Sequence, residues 1–104
     1  MYIILTSKPG QYRSEVTDGL QPLQSYVYRY DSRHVATFTI AELQRETRVR
    51  IFDEATPANV NFVPTKFFDH FDTLEAAFQS LSHLAGASHA DAEIVPLDKP
   101  AGAS

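Results

Sequence analysis

The sequence has no cysteine in its 104 residues. This absence excludes structural disulfides, thiolate nucleophiles, zinc sites built from cysteine and cysteine-ligated iron–sulfur clusters. The start of the sequence also has no signature of a secretory leader, because residues 1–6 carry no basic side chain and their apolar run is too short for a signal sequence or a membrane span. We therefore expect a cytoplasmic protein without a membrane partner.

An excess of positive charge is missing as well. The formal net charge is -4, and the acidity is uneven: residues 1–70 contain eight Lys or Arg and eight Asp or Glu, whereas residues 71–104 contain one and five. Binding to a nucleic-acid backbone depends on a summed positive field. We therefore expect no nucleic-acid partner.

The overall composition is that of a folded globular protein. Hydrophobic residues make up 43% of the chain and charged residues 21%, close to the usual proportions, which argues against disorder. The length is near that of one common domain. We expect a single α+β domain over residues 1–97, followed by a flexible tail over residues 98–104, which has little apolar surface to offset the entropy of ordering.

Alternation of apolar and polar side chains is the main structural signal, and it is clearest in three successive runs between residues 35 and 68. Residues 11–22 show neither a strand nor a helix period, and we interpret them as an irregular connection. Pro64 and Pro96 lack an amide donor, which favours sheet edges for their strands. The predicted strands cover residues 2–7, 23–30, 34–43, 47–53, 60–67 and 92–97.

One helix is predicted over residues 73–85. Asp72 is a suitable N-terminal cap, Glu75 can reach back as in a capping box, and Gly86 is placed to stop the helix. The apolar residues recur at steps of three and four, which predicts one buried stripe. Its members are Leu74, Ala77, Phe78, Leu81, Leu84 and Ala85.

These elements predict an α+β fold: an antiparallel meander sheet of five to six strands, with one C-terminal amphipathic helix packed on one face. The second face of that sheet would then be uncovered. The rival is a ferredoxin-like βαββαβ sandwich, which requires a second helix within residues 11–22. Gly19 and Pro22 argue against that helix.

The alternation places Tyr26, Tyr28 and Tyr30 on one face of a strand. Exposed tyrosines at this spacing form a flat platform on which a ring-shaped ligand could stack. Packing between neighbouring strands accounts for the same pattern without any ligand. We treat the three tyrosines as candidate binding residues.

Arg48 and Arg50 share a strand face, and Arg29 or Arg45 could join them across the sheet. Such a positive stripe suits a carboxylate or an acidic partner. The ordinary interpretation is a solvated face whose arginines pair with neighbouring carboxylates. The best candidates for a partner-binding surface are nevertheless Arg29, Arg48 and Arg50.

Histidine offers the only candidates for catalysis. His70 is next to Asp69, and a carboxylate beside an imidazole can orient it for proton transfer; His34 is a second candidate base. A hinge between sheet and helix explains the segment around His70 equally well. The four histidines have no spacing that directs two rings at one metal ion, so we predict no metal site and no cofactor.

The sequence supports two functional hypotheses. The first is a small non-enzymatic binding or accessory module that docks a protein partner, or a second copy, through an open sheet face. The alternative is a small dimeric enzyme in which a histidine transfers a proton on an aromatic or carboxylic small molecule. No motif decides between them.

Overall fold

The structure, a computed structural model, describes residues 1–56, 58–84 and 92–97. In these ranges the chain forms seven strands and one α-helix, so the expected α+β class with antiparallel pairing is confirmed. The predicted tail over residues 98–104, and Ala85 and Gly86 at the expected end of the helix, lie outside the described residues. The elements are β1 (Tyr2–Ser7), β2 (Tyr12–Glu15), β3 (Leu20–Tyr30), β4 (Arg33–Leu43), β5 (Arg48–Asp53), β6 (Val60–Pro64), α1 (Leu74–Leu84) and β7 (Ala92–Pro96).

The strands form two sheets rather than the single meander that the sequence predicts. A four-stranded sheet has the order β1-β4-β3-β7, and a three-stranded sheet, here called the small sheet, has the order β2-β5-β6. The polar residues 44–47 connect β4 to β5, and at this connection the chain leaves the first sheet. Alternation shows which way side chains point but does not show which strands pair, so it could not separate the two sheets.

The hairpin between β3 and β4 is the longest pairing in the fold. Asp31 and Ser32 connect the strands, and both have positive φ values, 53° and 62°. Positive φ at both central residues is the requirement of a type I′ turn, whose twist matches that of the flanking strands. The strands predicted over residues 23–30 and 34–43 therefore pair as one hairpin.

Residues 11–22 differ from the expected irregular connection. They contain β2, which pairs with β5, and the first residues of β3, where a register shift between Pro22 and Gln24 accommodates the proline. No helix lies in this segment, so the second helix that the ferredoxin-like alternative requires is absent there. The edge positions predicted from Pro64 and Pro96 are confirmed, because β6 and β7 are edge strands.

The helix lies on one face of the four-stranded sheet, against β1 and β4. Ala77 and Leu81 are fully buried in a cluster with Ala36, Phe38 and Ile40 of β4. The predicted stripe is therefore correct at its centre. Two of its other members are substantially exposed, Leu74 at 44% and Phe78 at 40%.

The cap of the helix is also corrected. Thr73, not Asp72, is the cap, because the Ala76 amide donates to Thr73 Oγ1 over 3.0 Å and the helix begins at Leu74. A hydroxyl at this position satisfies an amide that has no partner within the helix.

The small sheet packs on the opposite face of the four-stranded sheet. A second buried cluster lies between them, with Val49 of β5 completely enclosed. The sequence predicts that this face of the four-stranded sheet is uncovered, and this is wrong where the two sheets meet. The small sheet, rather than a second helix, covers it there. The cluster consists of Ile3, Leu5, Leu20, Ala41 and Val49.

Candidate functional site

The open sheet surface of this fold is the side of the small sheet that is turned away from the buried cluster. Val49 is buried and Ile51 packs against the same cluster, so the alternate side chains of β5 point outward. The strand register places residues of β2 and β6 beside them. We call this side the outer face, and it comprises Arg13, Glu15, Arg48, Arg50, Phe52, Val60, Phe62 and Pro64.

Arginine and phenylalanine side chains dominate the outer face. The Arg13 guanidinium carbon lies 4.8 Å from the centre of the Phe52 ring, a cation–π contact. Arg50 Nε lies 3.5 Å from Glu15 Oε1 of the neighbouring strand. Phe62, opposite Arg50 in the register, is 57% exposed. Three arginines against one glutamate make this face positive, although the whole chain is acidic.

Arg48 and Arg50 share a strand face, as the sequence predicts, and both are exposed. Glu15 serves as a counter-charge for Arg50, and within the described residues no carboxylate lies within ion-pair distance of Arg48. Arg29 does not join this pair. It is on β3 in the other sheet, exposed near the β3–β4 turn.

The three tyrosines are on β3, so the structure does not bring them together with Arg48 and Arg50. The Tyr26 ring meets Phe78 of the helix at a centroid distance of 5.4 Å, tilted by 56°. The Tyr28 ring stacks near Phe38 at 6.4 Å. Partial burial raises the pKa of the Tyr26 hydroxyl. Tyr26 and Tyr28 thus act in packing, whereas Tyr30 is 40% exposed beside the turn.

His70 contacts Glu46 rather than its sequence neighbour Asp69. Its Nε2 atom lies 3.0 Å from Glu46 Oε1, and its Nδ1 atom donates to the Phe68 carbonyl over 2.8 Å. The buried Thr65 hydroxyl lies 2.6 Å from the other carboxylate oxygen of Glu46. These hydrogen bonds, from Thr65 first and His70 second, lower the pKa of Glu46 because they favour the ionised form.

His34, the second candidate base, is exposed, and its Nε2 atom lies 2.8 Å from Thr37 Oγ1. Across the described ranges, no group of three or more His, Asp or Glu side chains is arranged to hold a metal ion.

Two of the clefts beside the small sheet also border the four-stranded sheet. One, of about 280 Å³, opens at the edge of β1 and includes Asp69 in its lining. The other, of about 380 Å³, lies between β2 and the four-stranded sheet, and Thr37 is part of its wall. Neither His34 nor His70 lines either cleft.

The alternation in residues 47–53 already places Phe52 on the same side as Arg48 and Arg50, whereas Arg13 and Phe62 were not among the candidate residues. Phe62 was detectable in principle, because the alternation in residues 60–64 already puts it on the same side as Val60. Arg13 was not detectable, because its strand is only four residues long and pairs with a strand far away in the sequence.

Comparison with known proteins gives no assignment. No protein-family model matches the sequence, and no curated protein or solved structure matches the chain. Within the described residues, no helix combines the length and apolar character that crossing a bilayer requires. Any functional inference must therefore rest on the geometry of the chain itself.

Proposed function

We propose that this protein is a small non-enzymatic binding module that docks an acidic protein partner through the outer face of the small sheet. The observation that carries the proposal is the exposed Phe62 side chain opposite Arg50 in the strand register, in a sheet whose other side packs against a buried cluster. Aromatic and arginine side chains are enriched at protein interfaces and contribute most to their binding energy.

The contacts within the outer face support an interface over a merely solvated surface. Phe52 holds the Arg13 guanidinium in place, so less side-chain entropy is lost when that group binds a carboxylate. Arg48 has no ion-pair partner among the described residues, so its guanidinium can pair with a carboxylate of the partner. Arg50 already contacts a carboxylate of this chain, since its Nε atom lies 3.5 Å from Glu15 Oε1. A positive face on an acidic protein selects for an acidic partner surface.

The enzymatic alternative has less support. Both ring nitrogens of His70 already have partners, the Phe68 carbonyl and the Glu46 carboxylate, so neither is available to take a proton from a substrate. His34 pairs with the Thr37 hydroxyl on an exposed strand, and among the described residues no carboxylate lies within ion-pair distance of its ring. A catalytic histidine that acts as a base is usually oriented by such a carboxylate.

The test is affinity capture from native lysate with the wild type, an Arg50→Glu/Phe62→Ser variant and a matched Arg29→Glu/Tyr30→Ser variant from the other sheet. We expect an acidic protein that the wild type and the matched variant retain and the outer-face variant loses. Retention should also weaken as salt is raised, because exposed charges are screened. Capture that is equal with all three proteins, or a wild type that remains a lone monomer, would overturn the proposal. Association of the chain with itself would assign the face to a second copy instead.

A further inference from the structure

The free edge of β1 has main-chain groups that β4 does not use. Tyr2 and Phe71 exchange two hydrogen bonds of 2.8 Å on the side away from β4. On the other side, Met1 accepts from the Leu43 amide of β4, also over 2.8 Å. Main-chain groups alternate in direction along an antiparallel strand, so Ile4 and Thr6, like Tyr2, direct their N–H and C=O groups to the free edge.

The pairing that begins at Tyr2 and Phe71 does not continue. Only one bridge joins these segments, whereas a continued ladder would place Asp69 opposite Ile4. At the other end, the Ser14 hydroxyl donates to the Thr6 carbonyl. The Ile4 N–H and C=O and the Thr6 N–H therefore have no partner among the described residues on this side.

The gap at this edge opens into the 280 Å³ cleft. Four successive steps from Tyr2 to Thr6 span roughly 13 Å in a strand, which leaves room for two or three residues of extended chain. The walls are mainly apolar and include several hydroxyl groups. The lining consists of Ile4, Thr6, Tyr12, Ser14, Ile51, Phe68, Asp69, Phe71 and Ser80.

Asp69 gives the cleft its charge. It is exposed, and within the described residues no Lys, Arg or His lies within ion-pair distance of its carboxylate. The cleft therefore combines a strand edge that can donate and accept hydrogen bonds, aromatic walls and one unpaired negative charge. Each feature matches a different part of a peptide: the main chain, an apolar side chain and a basic side chain.

We propose that this cleft binds a short extended peptide that carries a lysine or arginine, pairs with Ile4 through its main chain and places its cation beside Asp69. The site is separate from the outer face, and the inference does not depend on docking there. The peptide adds a strand to β1, the mode in which main-chain hydrogen bonds give affinity and flanking side chains give selectivity.

The experiment uses the full chain labelled with ¹⁵N and titrated with acetyl-Val-Lys-Val-amide at millimolar concentration. We expect the amide signals of Ile4 and Thr6 to move. Asp69→Asn should weaken binding by up to about fivefold, the range of one exposed ion pair. Asp72→Asn removes an equal charge from a residue that does not line the cleft, and it should leave the affinity unchanged.

Two further probes separate main-chain pairing from simple charge attraction. Acetyl-Val-Glu-Val-amide should not move the Ile4 signal, and a lysine peptide methylated on its main-chain nitrogens should lose binding although it keeps its charge. The proposal is wrong if the lysine peptide leaves Ile4 and Thr6 unmoved, if binding is equal in Asp69→Asn, or if the methylated peptide binds as well.

Discussion

The Nε2 atom of His70 lies 3.0 Å from Oε1 of Glu46 and ties the segment before the helix to the connection between the two sheets. The second carboxylate oxygen of Glu46 accepts from Thr65, which follows β6. Glu46 thus binds Thr65 and His70, which lie on either side of Phe68 and just before Phe71. This segment packs into both buried clusters, Phe68 into one and Phe71 into the other.

The first prediction concerns pH. Since folding lowers the pKa of Glu46, its stabilising contribution is complete above the carboxyl's ordinary value of 4.5 and is lost as pH falls through the lower folded-state value. Glu46→Gln should therefore be less stable than the wild type at pH 7, with a difference that narrows toward pH 3. Urea denaturation at several pH values measures this, with the exposed Glu54→Gln as control. Parallel pH profiles for the wild type and Glu46→Gln would contradict it.

The second prediction concerns the fully buried Thr65. Its Oγ1 accepts from the Thr47 amide over 2.9 Å in addition to its contact with Glu46. Thr65→Val leaves that amide without a partner and should lower the free energy of unfolding by about 1–3 kcal/mol. Thr65→Ser keeps the hydroxyl and should retain more stability in the same denaturation experiment. If Thr65→Val and Thr65→Ser lower the free energy of unfolding equally, loss of the hydroxyl is not the cause of the destabilisation.

The third prediction distinguishes the observed helix cap from the expected one. Thr73→Ala removes the acceptor of the Ala76 amide and should cost about 1 kcal/mol. Asp72→Ala should cost clearly less, since Asp72 precedes the cap. Chemical denaturation of both variants measures the difference, and a larger loss in Asp72→Ala would restore the cap inferred from sequence.

The fourth prediction compares two glycines with positive φ. A Cβ at Gly19, where φ is 98°, would lie 3.3 Å from both Arg45 Cγ and Thr47 Cγ2. At Gly10, where φ is 77°, a Cβ would meet nothing within 4 Å. Both alanine variants are strained by the backbone, but Gly19→Ala should lose more stability because crowding is added. If the two variants have equal midpoints of thermal unfolding, the Thr47 side chain moves aside without loss of stability.

Local signals were sufficient for most of the elements. The β3–β4 hairpin was predictable because its turn lies between two alternating runs, and the helix was predictable from its apolar period. The cap was shifted by one residue because Asp72 and Thr73 are both good capping residues, and only the coordinates show which side chain meets an amide.

Pairing between distant strands was the part that the sequence could not show. Strand β2 lacks an apolar alternation, and its partner β5 lies beyond the whole β3–β4 hairpin. Because the small sheet was not foreseen, the predicted single sheet contained Arg48 and Arg50 together with Tyr26 and Tyr28. The shared face of the two arginines was predicted, whereas its place on the outer side of a second sheet was not.

Hydroxyl-radical footprinting of the complex recovered from native lysate tests the central claim most directly, because two reactive rings report on the two candidate surfaces. Phe62 marks the outer face at 57% exposure, and Tyr30 marks the tyrosine strand at 40%. We expect oxidation of Phe62 to fall relative to the free protein while oxidation of Tyr30 is unchanged. Protection of Tyr30 with Phe62 still reactive, or protection of neither ring, would contradict docking through the outer face.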